Sequence, residues 1–351
     1  MNFRTEYKTS ESPLRLSAHR NLLFFGSCFS ENICRKMRES LWPAVNPAGV
    51  LYNPASIATI LDRILEERDV REDWIARYDG VYHNMLLDSG FSSVSVKEMN
   101  DKYVKTISDC RGKLRLGADI IVTFGTAFVY TLENFDRLIS HANHKESNSR
   151  RFQYDPEGCN EAGFHRVPQP FIVGNCHKMP SSDFSRRMMS VSEIVGIWNN
   201  LIPRLRDKYP STRIIFTLSP VRHLKDGFEG NSLSKAVVRL AIDEILKDKH
   251  PAEFSYFPAY EILHDDLRDY RFYATDLVHP SESAVDYIYD IFQRTYIPEA
   301  DRNLARRGIE LQRGLHHRPI IDNPVAEAER NSKLRSKAEE LKKQWPECLL
   351  P

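Results

Sequence analysis

A three-layer α/β/α sandwich around a mainly parallel sheet is the fold class this sequence predicts, and three observations predict it. Short runs of apolar and β-branched residues, at 22–25, 118–124 and 213–218, alternate with stretches whose apolar residues recur at helical spacing. These runs stop at Gly or Ser, so polar groups collect at the carboxyl ends of strands, the rim where α/β proteins hold ligands. The sequence also shows no internal repeat and no run of about 18 apolar residues that would span a bilayer.

The first strand is Leu22 to Phe25, closed by Gly26 and Ser27, after which Ile33 and Met37 stand four apart on one helix face. Ser27 therefore lies between a strand end and a helix N-terminus, where backbone N–H groups and the helix dipole favour an anion. A plain N-cap would use the same Ser. From Trp42 the chain makes a strand-like approach to Asn46-Pro47-Ala48-Gly49. Asn53-Pro54 then opens a helix carrying Ile57, Ile60, Leu61, Ile64 and Leu65. Residues 69 to 112 are charged and mixed, and read as a loop or short excursion.

Ala118 to Phe124 reads as a central strand leading into a Gly125-Thr126 turn. Residues 132–167 are polar, without apolar period, and read as a surface insertion or lid. Ser190-x-x-Glu193 is a capping box ahead of a helix that Pro203 ends or kinks. Arg213 to Leu218 is a strand ending in Ser219-Pro220-Val221-Arg222-His223. Asn231 to Lys247 is a helix whose apolar face carries Leu233, Val237, Leu240, Ile242 and Ile245. Glu253 to Tyr260 reads as the last strand, and Tyr260 to Arg271 as a return to Asp276. Beyond Pro298 the charge alternates, as expected of exposed helices packing on the domain or on a second subunit. The domain is thus read as 1–297, with a charged helical extension at 298–351.

Composition narrows the function classes. The 351 residues carry a net charge of +1, with 41% hydrophobic and 28% charged residues, so no general attraction to nucleic acid or anionic membrane follows. The six cysteines (28, 34, 110, 159, 176 and 348) form no C-x-x-C pair, a pattern suited to reduced thiols and a cytoplasmic location. No spacing matches a metal site, and neither cofactor nor metal is expected.

The pair that carries chemistry is Ser27 with Asp276-Leu277-Val278-His279. An Asp three residues before a His can accept the imidazole Nδ1–H and leave Nε2 outward as a general base. An ordinary loop histidine with a capping Asp would look the same. Arg222 suits a substrate carboxylate or phosphate, or an ion pair with a structural acid.

Gly26-Ser27-Cys28-Phe29-Ser30 resembles the signature of the GSCFA family, similar to the SGNH/GDSL hydrolases. NPAGVLYNP at Asn46 to Pro54, VGNCHK at Val173 to Lys178, TLSPVRHLKDG at Thr217 to Gly227 and DLVHPS at Asp276 to Ser281 agree with it. The resemblance runs from about residue 20 to 295 and implies an SGNH/flavodoxin-like fold with a Ser27–His279–Asp276 triad. It also implies that Gly49 lends its N–H to an oxyanion hole. An SGNH protein usually carries Gly-x-Asn-Asp after the central strand. Here Gly125 is followed by Ala127 where that Asn would fall, so Asn175 is the candidate replacement donor. The alternative for Asn175 and His177 is that they satisfy turn backbone. The expected activity is hydrolysis of a small O-acyl ester, with an acyltransferase or a non-catalytic binding module as alternatives. Cys28 is the rival nucleophile. The expected partner is a small-molecule ester, with no nucleic acid and no membrane, and a homo-oligomer left open.

Overall fold

The computed structural model describes residues 5–66, 75–132, 172–316 and 324–350. The insertion expected at 132–167 lies almost wholly outside them. Five parallel strands form the main sheet: β1 (Leu22–Gly26), β2 (Ala44–Val45), β5 (Asp119–Phe124), β8 (Ile214–Leu218) and β9 (Phe254–Phe257). Their order is β2-β1-β5-β8-β9, a 2-1-3-4-5 arrangement counted along the sheet. Strand order therefore reverses between β1 and β5, and in doubly wound sheets the ligand crevice opens outside the carboxyl ends at that point.

Alternation along the strands builds both faces. Leu23, Phe25, Val122, Phe124 and Phe216 enter one core with helices α2 (Pro54–Leu65), α3 (Val96–Arg115), α4 (Val191–Lys208) and α5 (Gly227–Leu246). Leu22, Phe24, Ile121 and Ile215 enter the other, with α1 (Cys28–Glu39), α6 (Glu282–Tyr296), α7 (Glu299–His316) and α8 (Pro324–Gln344). At the amino end of the sheet, the buried Asp119 carboxylate accepts from Arg20 and Arg213, tying three chain segments together.

Several expectations are corrected. The stretch at 69–112 holds an antiparallel hairpin, β3 (Ile75–Tyr78) with β4 (Val81–Asn84), and the 20-residue α3. Met99, Tyr103, Ile107, Cys110 and Leu114 form its buried stripe, thinly spread among charges. A second antiparallel pair, β6 (Phe128–Leu132) with β7 (Phe184–Met188), was not foreseen either. Pro203 lies inside α4, which runs on to Lys208. The last strand stops at Phe257, and residues 259–267 are helical, ending in a π-helical segment.

On α5 Ile242 and Ile245 are buried as predicted and Val237 packs against the core, but two residues of the predicted apolar face are misplaced. Leu233 and Leu240 are exposed, and the buried face is Asn231, Ser234, Lys235, Val238, Ala241, Ile242 and Ile245. The described part of the extension at 298–351 packs on the domain. Trp345 is fully buried, edge-on to Trp42 at 5.8 Å, and its Nε1–H donates to the Ala18 carbonyl at 2.7 Å. Among the described residues no helix is long and apolar enough to cross a membrane.

Candidate active site

Ser27 follows β1 directly and is the N-cap of α1, with extended backbone and no capping bond from its side chain. Its Oγ is buried and makes no hydrogen bond among the described residues. A hydroxyl that caps nothing and is left without a partner in the core carries a desolvation cost that packing alone does not explain. Its N–H points at the Thr123 carbonyl at 3.4 Å, longer than a normal hydrogen bond, so the donor is weakly engaged.

Gly49 turns at φ +68°, and a Cβ there would stand 2.2–2.5 Å from the Asp88 carboxylate. Asp88 accepts from the N–H groups of Val50 and Gly90, which holds the turn. The Gly49 N–H has no hydrogen-bond partner among the described residues. Gly125 is different, since its N–H donates to the Tyr52 carbonyl at 2.7 Å and is not free to hold an oxyanion. What Gly125 provides is proximity: a Cβ on it would lie 3.5 Å from Cβ of Ser27 and 3.4 Å from Nε2 of His223.

The late loop is locked by one carboxylate. Asp276 Oδ1 accepts from the N–H groups of Val278 and His279, both at 2.9 Å, and Oδ2 lies 2.6 Å from His279 Nδ1. A carboxylate can only accept, so Nδ1 carries the proton and Nε2 is the basic nitrogen. The two backbone donors, with the imidazole behind them, pull the Asp276 carboxyl down to about 2. Leu277 at the loop's centre adopts φ +58°, a strained conformation for a residue with a branched side chain. The loop is tied down by Ala274 N–H to the His279 carbonyl and Ser281 N–H to the Phe272 carbonyl.

The two halves approach one another electrostatically. Asp276 acts on the Cys28 thiol next to Ser27, and His279 acts on His223, whose Nε2 lies over Gly125. No hydrogen bond joins Ser27 Oγ to His279. Burial pushes the Cys28 thiol up, which disfavours the thiolate a cysteine nucleophile needs.

Three residues of this rim were not singled out from the sequence. His223 is half-buried and held well below the usual imidazole range, at about 4, by desolvation and by the charges of Lys235 and Arg186. Tyr52 faces it edge-on at 5.8 Å. Lys235 reaches the rim from α5. His223 stands next to Arg222 in a motif already noted, whereas nothing in the apolar spacing of α5 points to Lys235.

The remaining candidates divide. Arg222 acts electrostatically on Tyr273 and Tyr260, and Tyr273 bridges to Pro280, so it flanks the His279 loop. Asn175 uses its carbonyl oxygen in an Asx turn to the His177 N–H at 2.8 Å, leaving its amide group without a partner among the described residues. His177 has both nitrogens engaged, Nε2 with the Asn84 carbonyl at 3.0 Å and Nδ1 with Ser89 Oγ at 3.3 Å, and stacks on His83. That is a packing role rather than a substrate contact. Among the described residues no group of three or more His, Cys, Asp or Glu is arranged to hold a metal.

The pattern of an early Gly-Ser turn and a late Asp-x-x-His loop, framed by the motifs between them, is matched by one family model over residues 21–162 and 158–292. The chain belongs to the GSCFA family. The matched spans take in every rim residue described above and stop before α7 and α8. Among curated proteins none matches this GSCFA chain.

Proposed function

We propose that this GSCFA protein is a serine hydrolase of the SGNH type acting on a small O-acyl ester, sugar acetates among them. The observation that carries the reading is the buried, unpartnered Ser27 hydroxyl at the strand-order reversal, with an Asp-oriented imidazole on the neighbouring loop.

His279 Nε2 takes the Ser27 proton as Oγ attacks the ester carbonyl. The N–H groups of Ser27 and Gly49, with the Asn175 amide, stabilise the oxyanion beside the positive end of α1. His279 then gives its proton to the leaving alcohol. Water, deprotonated by His279, releases the acyl group and restores Ser27. Asp276, ionised throughout the working range, keeps Nδ1 protonated and favours the imidazolium. The missing Ser27–His279 hydrogen bond is compatible with this cycle, because catalytic hydrogen bonds often tighten only around substrate.

That same gap favours a second reading, a binding module that recognises a ligand at this rim without cleaving it. Hydrolysis of a short-chain nitrophenyl ester by wild type, Ser27→Ala and Cys28→Ala separates the possibilities. Activity lost in Ser27→Ala and kept in Cys28→Ala is expected. The reverse result transfers the nucleophile to Cys28, and no activity in wild type favours the binding module.

A further inference from the structure

The buried face of α5 opens with three polar residues, Asn231, Ser234 and Lys235, where an ordinary core helix would be apolar. Their spacing puts all three on one side. Each holds chain that leaves a central strand. Asn231 Oδ1 accepts from the His223 N–H at 3.0 Å. Ser234 Oγ accepts from the Ala127 N–H at 2.8 Å and pairs with Thr126 Oγ1 at 2.9 Å. Lys235 Nζ donates to the Gly125 carbonyl at 2.6 Å and to the Ser219 carbonyl at 2.7 Å.

Lys235 is the costly member of the three. It is 3% exposed and makes no ion pair among the described residues. Burying an ammonium without a carboxylate is expensive, and an apolar residue would pack there at no such cost. Its neighbours account for the field it sits in. Cys28 of α1, His223, Asp226 and His264 all interact with it, the Tyr260 ring lies 5.9 Å away, and Asp226 is already paired with Arg186.

We propose that Lys235 is the positioning cation of the Ser27 site, holding the Gly125 peptide against Ser27 and fixing a positive charge behind the point where an oxyanion develops. The proposal rests on the ester-hydrolase reading above. In this chain Ala127 supplies no side-chain donor, and the lysine contributes through the Gly125 peptide and its field what a nearby amide would contribute by contact. Desolvation brings the ammonium down to about 7, so its charge is lost within the pH range of an ordinary assay.

The test is the pH dependence of nitrophenyl acetate hydrolysis by wild type, Lys235→Met and Lys235→Gln, from about pH 5.5 to 9.5, with circular dichroism to establish the fold. In wild type, kcat is expected to fall on the alkaline side with a midpoint near 7. Both variants are expected to lose about 10²-fold in kcat with KM within about twofold, and to lose the alkaline limb. Variants with wild-type kcat, or with only KM raised, overturn the proposal and leave the esterase reading standing. An inactive wild-type protein overturns both. Should both variants unfold, the wild-type profile decides, and one that stays flat above neutrality contradicts the proposal.

Discussion

Gly125 lies against Tyr52 so closely that an added β-carbon would stand 2.9 Å from the Tyr52 carbonyl oxygen, while reaching ordinary contact, 3.5 Å, with the β-carbon of Ser27. The end of β5 and the start of α1 are thereby held in direct contact, and His223 is drawn in from a third strand end. Gly125 is required for this approach, even though its N–H is occupied.

Gly125→Ala is therefore expected to displace the turn. The methyl group meets a backbone oxygen that cannot move cheaply, and overpacking of this kind costs about 1–3 kcal/mol. Ester turnover should fall at least tenfold while the protein still folds. Urea denaturation alongside steady-state kinetics checks it.

Asp276→Asn keeps an acceptor for the Val278 and His279 N–H groups but removes the charge that sets the imidazole tautomer. Turnover is expected to drop by about 10³–10⁴. The side chain is half exposed, so the melting temperature should barely change. Kinetics and thermal melts of the same preparation test both halves.

Acid should destabilise the fold well before the carboxylates titrate. His177, His223 and His264 are each held at about 4 by burial, against about 6.5 in an unfolded chain. Between those values the unfolded state binds the extra protons. Stability is complete above about pH 6.5 and falls as pH drops toward 4, by up to about 1.4 kcal/mol per pH unit for each histidine. Denaturant midpoints at several pH values measure the slope, and His177→Gln should reduce it.

The sheet was legible because β1, β5 and β8 are short, apolar and closed by Gly or Ser, and because Ser190-x-x-Glu193 and Asn53-Pro54 announce their helices locally. Ser27 and the Asp276–His279 loop were singled out as local patterns, one at the end of β1 and the other between Phe272 and the start of α6. Helix α3 escaped notice because its five buried residues among twenty are spread thinly between charges. On α5, Ile242 and Ile245 point inward as their spacing predicts, but Leu233 and Leu240 face outward, and the buried face begins with Asn231, Ser234 and Lys235. Polar residues that are buried because they serve other segments carry no periodic signal. Their role exists only once β5, β8 and α5 are brought together.

Trp345 shows how far the charged C-terminal segment belongs to the core. Its fully buried ring packs on Trp42 and its indole N–H is satisfied by Ala18. Trp345→Ala should cost about 3–5 kcal/mol, read as a lowered denaturant midpoint with an unchanged transition slope. A loss below about 1 kcal/mol would make the extension a loosely attached appendage.

The most direct measurement is covalent: treat wild type, Ser27→Ala and His279→Ala with a fluorophosphonate, then map the adduct by peptide mass spectrometry. One adduct, on Ser27, absent from Ser27→Ala and formed at least a hundredfold more slowly in His279→Ala, is the expected result, in keeping with loss of a general base. Labelling of wild type at another residue, or none at Ser27 under conditions that label a control serine hydrolase, would contradict an activated Ser27.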